Sequence, residues 1–98
     1  MNRTVLVRPE AEADLAAARD WYEDRLPGLG AEFGLQIDSV LSALADRPLT
    51  FSVVHRDVRR ALVKRFPYGV FFVTSADRTV VLAVLHQARN PAVWKRRA

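Results

Sequence analysis

An α+β fold of order β-α-α-β-β-β, with a helical hairpin packed on a small, mainly antiparallel sheet, is the architecture this chain predicts. Three observations predict it. Two apolar stripes at helical spacing occupy the first half, and strand-like apolar runs fill the stretch from Val58 to Phe72 and from Thr79 to His86. Only Pro27-Gly28-Leu29-Gly30 separates the helices, a break so short that they must run antiparallel.

Thr4-Val5-Leu6-Val7-Arg8 is a short β-type run. Pro9 suits the first turn of a helix, where its missing N–H is no loss, although Arg8 is a poor cap. The helix is expected from about Pro9 to Leu26, with Ala11, Leu15, Ala18, Tyr22 and Leu26 along one side. A second helix is expected from about Ala31 to Asp46, with Phe33, Ile37, Val40 and Leu44 as its stripe. Arg47-Pro48 ends it, because the residue before a proline disfavours helix. Phe51 to Arg56 reads as either a loop or a short strand. Val58 to Phe66 alternates in part and reads as a strand, with Arg60, Leu62, Lys64 and Phe66 on one face and Arg59, Ala61, Val63 and Arg65 on the other. Pro67 lacks a ladder donor and marks a strand end. Tyr68 to Thr74 is the next strand and Ser75-Ala76-Asp77-Arg78 its hairpin loop. Thr79 to His86 is apolar on both faces and therefore central. Pro91 opens a short helical turn that carries Trp94, Lys95, Arg96 and Arg97.

Ninety-eight residues, half of them hydrophobic, make a single domain of ordinary globular composition. The absence of cysteine excludes a disulfide scaffold, a cysteine nucleophile and a thiolate metal site. His55 and His86 are the only imidazoles, too few for a histidine zinc site, and no metal or cofactor is expected. No apolar run approaches the roughly 20 residues that span a bilayer. The apolar stretch after Met1-Asn2-Arg3 is too short for a signal peptide, so the expected location is the cytoplasm. Charge is unevenly distributed: residues 1–50 hold five arginines against nine carboxylates, a net of −4, and residues 51–98 hold ten Lys/Arg against two, a net of +8. A positive half beside a negative half implies a directional field and an anionic or acidic partner. Its bland counterpart is a solvated, arginine-rich surface.

Several marks occur in order along residues 4–95: Pro9-Glu10-Ala11 with Asp14-Leu15, then Asp20-Trp21-Tyr22, then Arg59-Arg60-Ala61-Leu62 through Phe66-Pro67-Tyr68, then Val84-Leu85-His86-Gln87 and Arg89-Asn90-Pro91 with Trp94. On these the chain resembles the RelE/ParE superfamily of toxins from type II toxin–antitoxin modules. The helix marks are weak and the last two groups stronger. The resemblance implies a growth-arresting toxin held silent by a cognate antitoxin in a hetero-oligomer. It implies operator DNA binding only through that antitoxin. RelE-like members cut messenger RNA in the ribosome, whereas ParE-like members bind DNA gyrase and cut nothing. Fold does not choose between them.

RNA cleavage needs a base for the 2′-hydroxyl, fixed cations for the phosphorane and an acid for the leaving oxygen. The candidate set here is Lys64, Arg65, His86 and Arg89. It is incomplete: Gly69 stands where the family's RNases carry a basic residue, and Trp94 stands near the place of their C-terminal tyrosine. An indole donates a hydrogen bond but transfers no proton. The resemblance therefore points to a ParE-like gyrase inhibitor, with the ribosome-dependent mRNA endonuclease as the alternative and a harmless antitoxin-binding relic as a third reading. Candidate target- or antitoxin-binding residues are Arg59, Arg60, Lys64, Arg65, Arg89, Trp94, Arg96 and Arg97. One of Arg59 and Arg60 is expected to pair with a helix carboxylate such as Asp14. Trp94 either docks on a partner or packs back on the sheet. An acidic, partly disordered antitoxin segment is the expected occupant of the basic sheet face and the helical groove.

Overall fold

The computed structural model describes residues 3–98; Met1 and Asn2, which open the stretch read above as too short for a signal peptide, lie outside the described residues. The elements are β1 (Thr4–Val7), α1 (Pro9–Arg25), α2 (Leu29–Asp46), β2 (Ser52–His55), β3 (Val58–Leu62), β4 (Tyr68–Thr74), β5 (Arg78–His86) and a short α3 (Ala92–Lys95). They form a five-stranded mixed sheet in the order β1-β5-β4-β3-β2. β1 runs parallel to β5, with Thr4 beside Arg78 and Val7 beside Val81. The remaining pairs are antiparallel. The two-faced apolar strand β5 thus lies inside the sheet, as its pattern predicts.

The helical hairpin covers one face. Ala11 and Ala18 of α1 and Phe33, Ile37 and Leu44 of α2 pack on Ala61, Val70, Phe72, Val81 and Val84. Alanines on α1 let the helix approach β5 closely. Phe33 centres an aromatic cluster, with Tyr22, Phe66 and Tyr68 rings 5.1–5.4 Å away. The other face carries Val58, Phe71, Leu82, Ala83 and Leu85, and Trp94 closes over them.

The turn between the helices has its own chemistry. Gly28, in the left-handed region at φ 91°, offers no side-chain cap to α2. Glu23 of α1 supplies the acceptors instead: Gly28 N–H donates to its Oε2 at 2.9 Å and Gly30 N–H to its Oε1 at 3.0 Å. Two of the donors that a helix start leaves unpaired are thereby satisfied. A Cβ on Gly30 would lie 2.7 Å from the Arg19 carbonyl oxygen, so the helices meet where only glycine fits. These contacts let α2 begin at Leu29, two residues before the expected Ala31.

Three further boundaries differ from expectation. The ambiguous segment before Arg56 is strand β2, paired with β3. The loop before β5 is shorter than expected, because Arg78 already belongs to the strand. β3 stops at Leu62 rather than at Phe66. There Val63 N–H turns to the Tyr68 carbonyl at 3.0 Å and Arg65 takes φ 70°. Phe66 consequently enters the core at 7% exposure while Lys64 stays in solvent, so the two do not share a strand face. A bulge leaves Leu82 unpaired, since Phe71 faces Ala83 and Phe72 faces Val81.

Candidate functional site

β1 is four residues long and flanks β5 only as far as Val81. Beyond it, the β5 edge has no strand neighbour, and unpaired backbone groups there would be costly if buried. Side chains take the strand's place. Val84 N–H donates to Asp14 Oδ2 at 3.0 Å, and Arg97 Nη1 donates to the Leu82 carbonyl at 3.1 Å. Arg97 also grips Asp14 directly, at 2.6 Å through Nη1 and 3.4 Å through Nη2. The two side chains are 19% and 13% exposed. Arg8 Nη1 donates to the Arg97 carbonyl at 3.0 Å. The C-terminal tail is thus clasped against α1 and the β5 edge. Asp14 does take an arginine, as expected, but it is Arg97 and neither Arg59 nor Arg60. Those two lie on β3, with β4 between them and β5, and point to opposite faces of the sheet.

Past the clasp, α1 and the ends of β4 and β5 diverge around a groove of about 590 Å³. Its walls include Ala17, Ala18, Trp21 and Tyr22 from α1, and Tyr68 and His86 from the sheet. Tyr68 and His86 are register partners, with ring centroids 5.4 Å apart. Burial raises the Tyr68 phenol above its usual range, partly offset by the Arg89 charge. Burial also raises Tyr22, and Tyr68 adds to that shift. Both phenols therefore stay protonated at neutral pH and offer hydroxyl donors rather than a base.

On the opposite face of the sheet lies a slot of about 70 Å³, bordered by Arg60, Gly69, Phe71 and Trp94. His86 and Arg89, at and beyond the end of β5, border both cavities. His86 Nδ1 accepts the Ala88 N–H at 2.9 Å, so the neutral ring carries its proton on Nε2. A Cβ on Gly69 would meet the Arg60 stem at 3.1–3.2 Å, so the bare backbone there is what lets Arg60 lie flat over the strand.

The other expected site residues are dispersed. Arg59 Nη1 donates to the Phe51 carbonyl at 2.7 Å and holds the chain between α2 and β2. Lys64 is exposed in the β3–β4 loop, and neither it nor Arg65 borders either cavity. Arg65 instead pairs with Glu32 of α2 at 2.7 Å. Trp94 packs back on the sheet: it is 7% exposed and stacks on Phe71 at 4.5 Å with a 15° tilt. Arg96 is exposed, and Arg97 is committed to the clasp. Tyr22, Tyr68 and the Gly69 floor were not among the expected site residues. Tyr68 stands among the family's marks and just after Pro67, at a strand start opposite the end of the next strand, but neither signal gives it a role. Among the described residues, no three His, Cys, Asp or Glu side chains are placed to hold a metal ion. Nor is any helix among them long and apolar enough to cross a membrane.

A family model for the ParE toxin of type II toxin-antitoxin system, parDE, matches residues 5–91. The chain belongs to the ParE toxin family. Toxin ParE2 of Mycobacterium tuberculosis, in strains CDC 1551 / Oshkosh and ATCC 25618 / H37Rv, is 28% identical over 92 residues, which cover 93% of this chain and 88% of the relative. Among solved structures, a chain of the chromosomal ParDE TA system from P. aeruginosa superposes with a TM-score of 0.76 at 18% identity. That match covers 86% of this chain and 95% of the other and establishes the shared fold. The residues matched to the ParE family take in α1, both cavities' strand walls, His86 and Arg89, and stop at Pro91, before Trp94 and Arg97. The clasp lies outside the matched segment on one side only, since Asp14 is within it.

Proposed function

We propose that this ParE-family toxin arrests growth by binding DNA gyrase, cuts no RNA, and is neutralised by a cognate antitoxin that docks over its two cavities. The observation that carries this reading is the separation of the cations. Lys64 and Arg65 border neither cavity, and Arg65 is already paired with Glu32, so the set Lys64, Arg65, His86 and Arg89 does not converge on one phosphate. A transition state with developing charge needs donors aimed at one point. The phenols of Tyr22 and Tyr68, held protonated by burial, supply no base. The larger groove, by contrast, is walled by aromatic and small apolar side chains, the surface that protein partners recognise. The reading places the toxin in the cytoplasm with its target, and gives operator binding to the antitoxin.

The test is a gyrase supercoiling and cleavage assay with the purified toxin, with and without antitoxin, run beside a ribosome-bound mRNA cleavage assay on the same sample. Inhibited supercoiling or trapped cleavage complexes with intact mRNA is the expected result. Cut mRNA with normal gyrase would overturn the reading in favour of a RelE-like endonuclease built on His86, Arg60 and Arg89. Harmless induction without antitoxin would leave only an antitoxin-binding relic.

A further inference from the structure

Most arginines of this chain have an assigned partner. Arg47, Arg65, Arg78 and Arg97 pair with carboxylates. Arg3, Arg8 and Arg59 donate to backbone carbonyls, and Arg25 lies over the Trp21 ring at 4.1 Å. Arg60 and Arg89 have no such partner among the described residues, and they border the same small slot. Two guanidinium groups beside one cavity repel each other unless an anion lies between them. His86 adds a third donor, because its Nδ1 is occupied by the Ala88 N–H and its Nε2–H is left over. The walls opposite these donors are Phe71, Pro91 and the buried Trp94, which shield one side from water and strengthen any ion pair formed there.

The slot's size limits the ligand. About 70 Å³ admits a carboxylate head but falls far below the roughly 300 Å³ of a small-molecule site. A strand of nucleic acid needs a track of spaced cations. Here Lys64 and Arg65 border neither cavity, so no such track leads from the slot into the adjoining groove. A peptide with one acidic side chain and an apolar neighbour needs no track: the carboxylate enters the slot, and the neighbour enters the apolar groove across His86 and Arg89.

We infer that Arg60, Arg89 and His86 Nε2–H bind a single Asp or Glu side chain of the antitoxin, and that an apolar side chain of the same segment fills the groove between Trp21, Tyr22 and Tyr68. This rests on the reading that an antitoxin covers the two cavities, and it narrows the charge complementarity from a broad basic face to one carboxylate. Gly69 is the positioning residue, since a Cβ there would press on the Arg60 stem at 3.1–3.2 Å.

The experiment is calorimetric titration of the full-length antitoxin into the toxin and into Arg60→Gln, Arg89→Gln and Gly69→Val, with Arg56→Gln as a surface control. Thermal melts establish that each variant is folded. Each of the first three is expected to weaken binding about tenfold or more, as lost charge-assisted hydrogen bonds do, and the control less than about twofold. Antitoxin carboxylates are then changed to amides one at a time. One of them is expected to weaken binding to the unmodified toxin but to cost nothing further against the Arg60→Gln/Arg89→Gln toxin. Additive losses at every carboxylate, or unchanged affinity in the arginine variants, overturn the inference while leaving antitoxin binding intact. An antitoxin that fails to bind the unmodified toxin overturns the neutralisation reading as well. A short RNA oligonucleotide that binds the unmodified toxin, and loses affinity in the arginine variants when antitoxin does not, would reassign the slot to phosphate.

Discussion

Replacing Asp14 by alanine should destabilise this toxin more than any other single change on its surface helix. The carboxylate accepts three hydrogen bonds, from Val84 N–H at 3.0 Å and from Arg97 at 2.6 and 3.4 Å. Its removal leaves an arginine without its anion and a backbone N–H without an acceptor, both in a region where the side chains are 13–19% exposed. Breaking one half of a fully buried pair costs about 3–5 kcal/mol. Residual exposure lets water reach the freed groups, so about 3 kcal/mol is the expected loss. For a chain of this size that lowers Tm by about 15 °C. Arg97→Ala should cost less, about 2 kcal/mol, because Asp14 keeps Val84 as a donor and stays hydrogen-bonded. Urea denaturation of the two single variants and the double variant gives the coupling, expected at about 1–2 kcal/mol. Asp14→Ala melting within about 3 °C of the unmodified toxin, or strictly additive losses, would refute the clasp as an energetic unit.

The remaining predictions concern other parts of the molecule. Glu23→Ala removes both acceptors at the start of α2 and should cost about 1 kcal/mol in urea denaturation, as the loss of a helix cap does. Gly30→Ala should cost more than that, because the atom it would strike at 2.7 Å is a backbone oxygen of α1 that cannot rotate away. Tyr22 and Tyr68 make stability fall at high pH: their folded pKa values lie above the usual 10.0, so the unfolded chain ionises first. Stability should be level below about pH 10 and decline above it, and Tyr68→Phe should shrink that decline; phenolate absorbance and melts across the alkaline range check both. If the proposed gyrase reading holds, Lys64→Ala should leave inhibition in the supercoiling assay unchanged, whereas an RNase would lose most of its activity with that cation.

How legible the molecule was depends on the distance over which its determinants act. The α2 stripe of Phe33, Ile37, Val40 and Leu44 is local periodicity, and three of those four are fully buried while Val40 packs beside them. β5 reads as central because both its faces are apolar, and it does pair on both sides. The end of β3 was misread because alternation continues by chance through Lys64 and Phe66, whereas Arg65 turns the chain into the left-handed region. Nothing in the local pattern announces that turn. The site was less legible still. Trp21, Tyr22, Tyr68, His86 and Arg89 all stand among the family's marks, but the marks do not say that they meet. Tyr68 reaches His86 only through strand register, and Asp14 finds Arg97 across 83 residues. A list of basic residues could not say which were already occupied by carbonyls and carboxylates, as Arg59, Arg65 and Arg97 are.

The clasp between Asp14 and Arg97 bears on the order in which the fold assembles. The β5 edge beyond Val81 is closed by side chains and not by a strand, and the two that close it lie 83 residues apart. A contact of such long sequence separation is rewarded only after the chain between its ends has been brought together, so it belongs to the late steps of folding. Until it forms, the β5 edge and the adjoining groove stand open together.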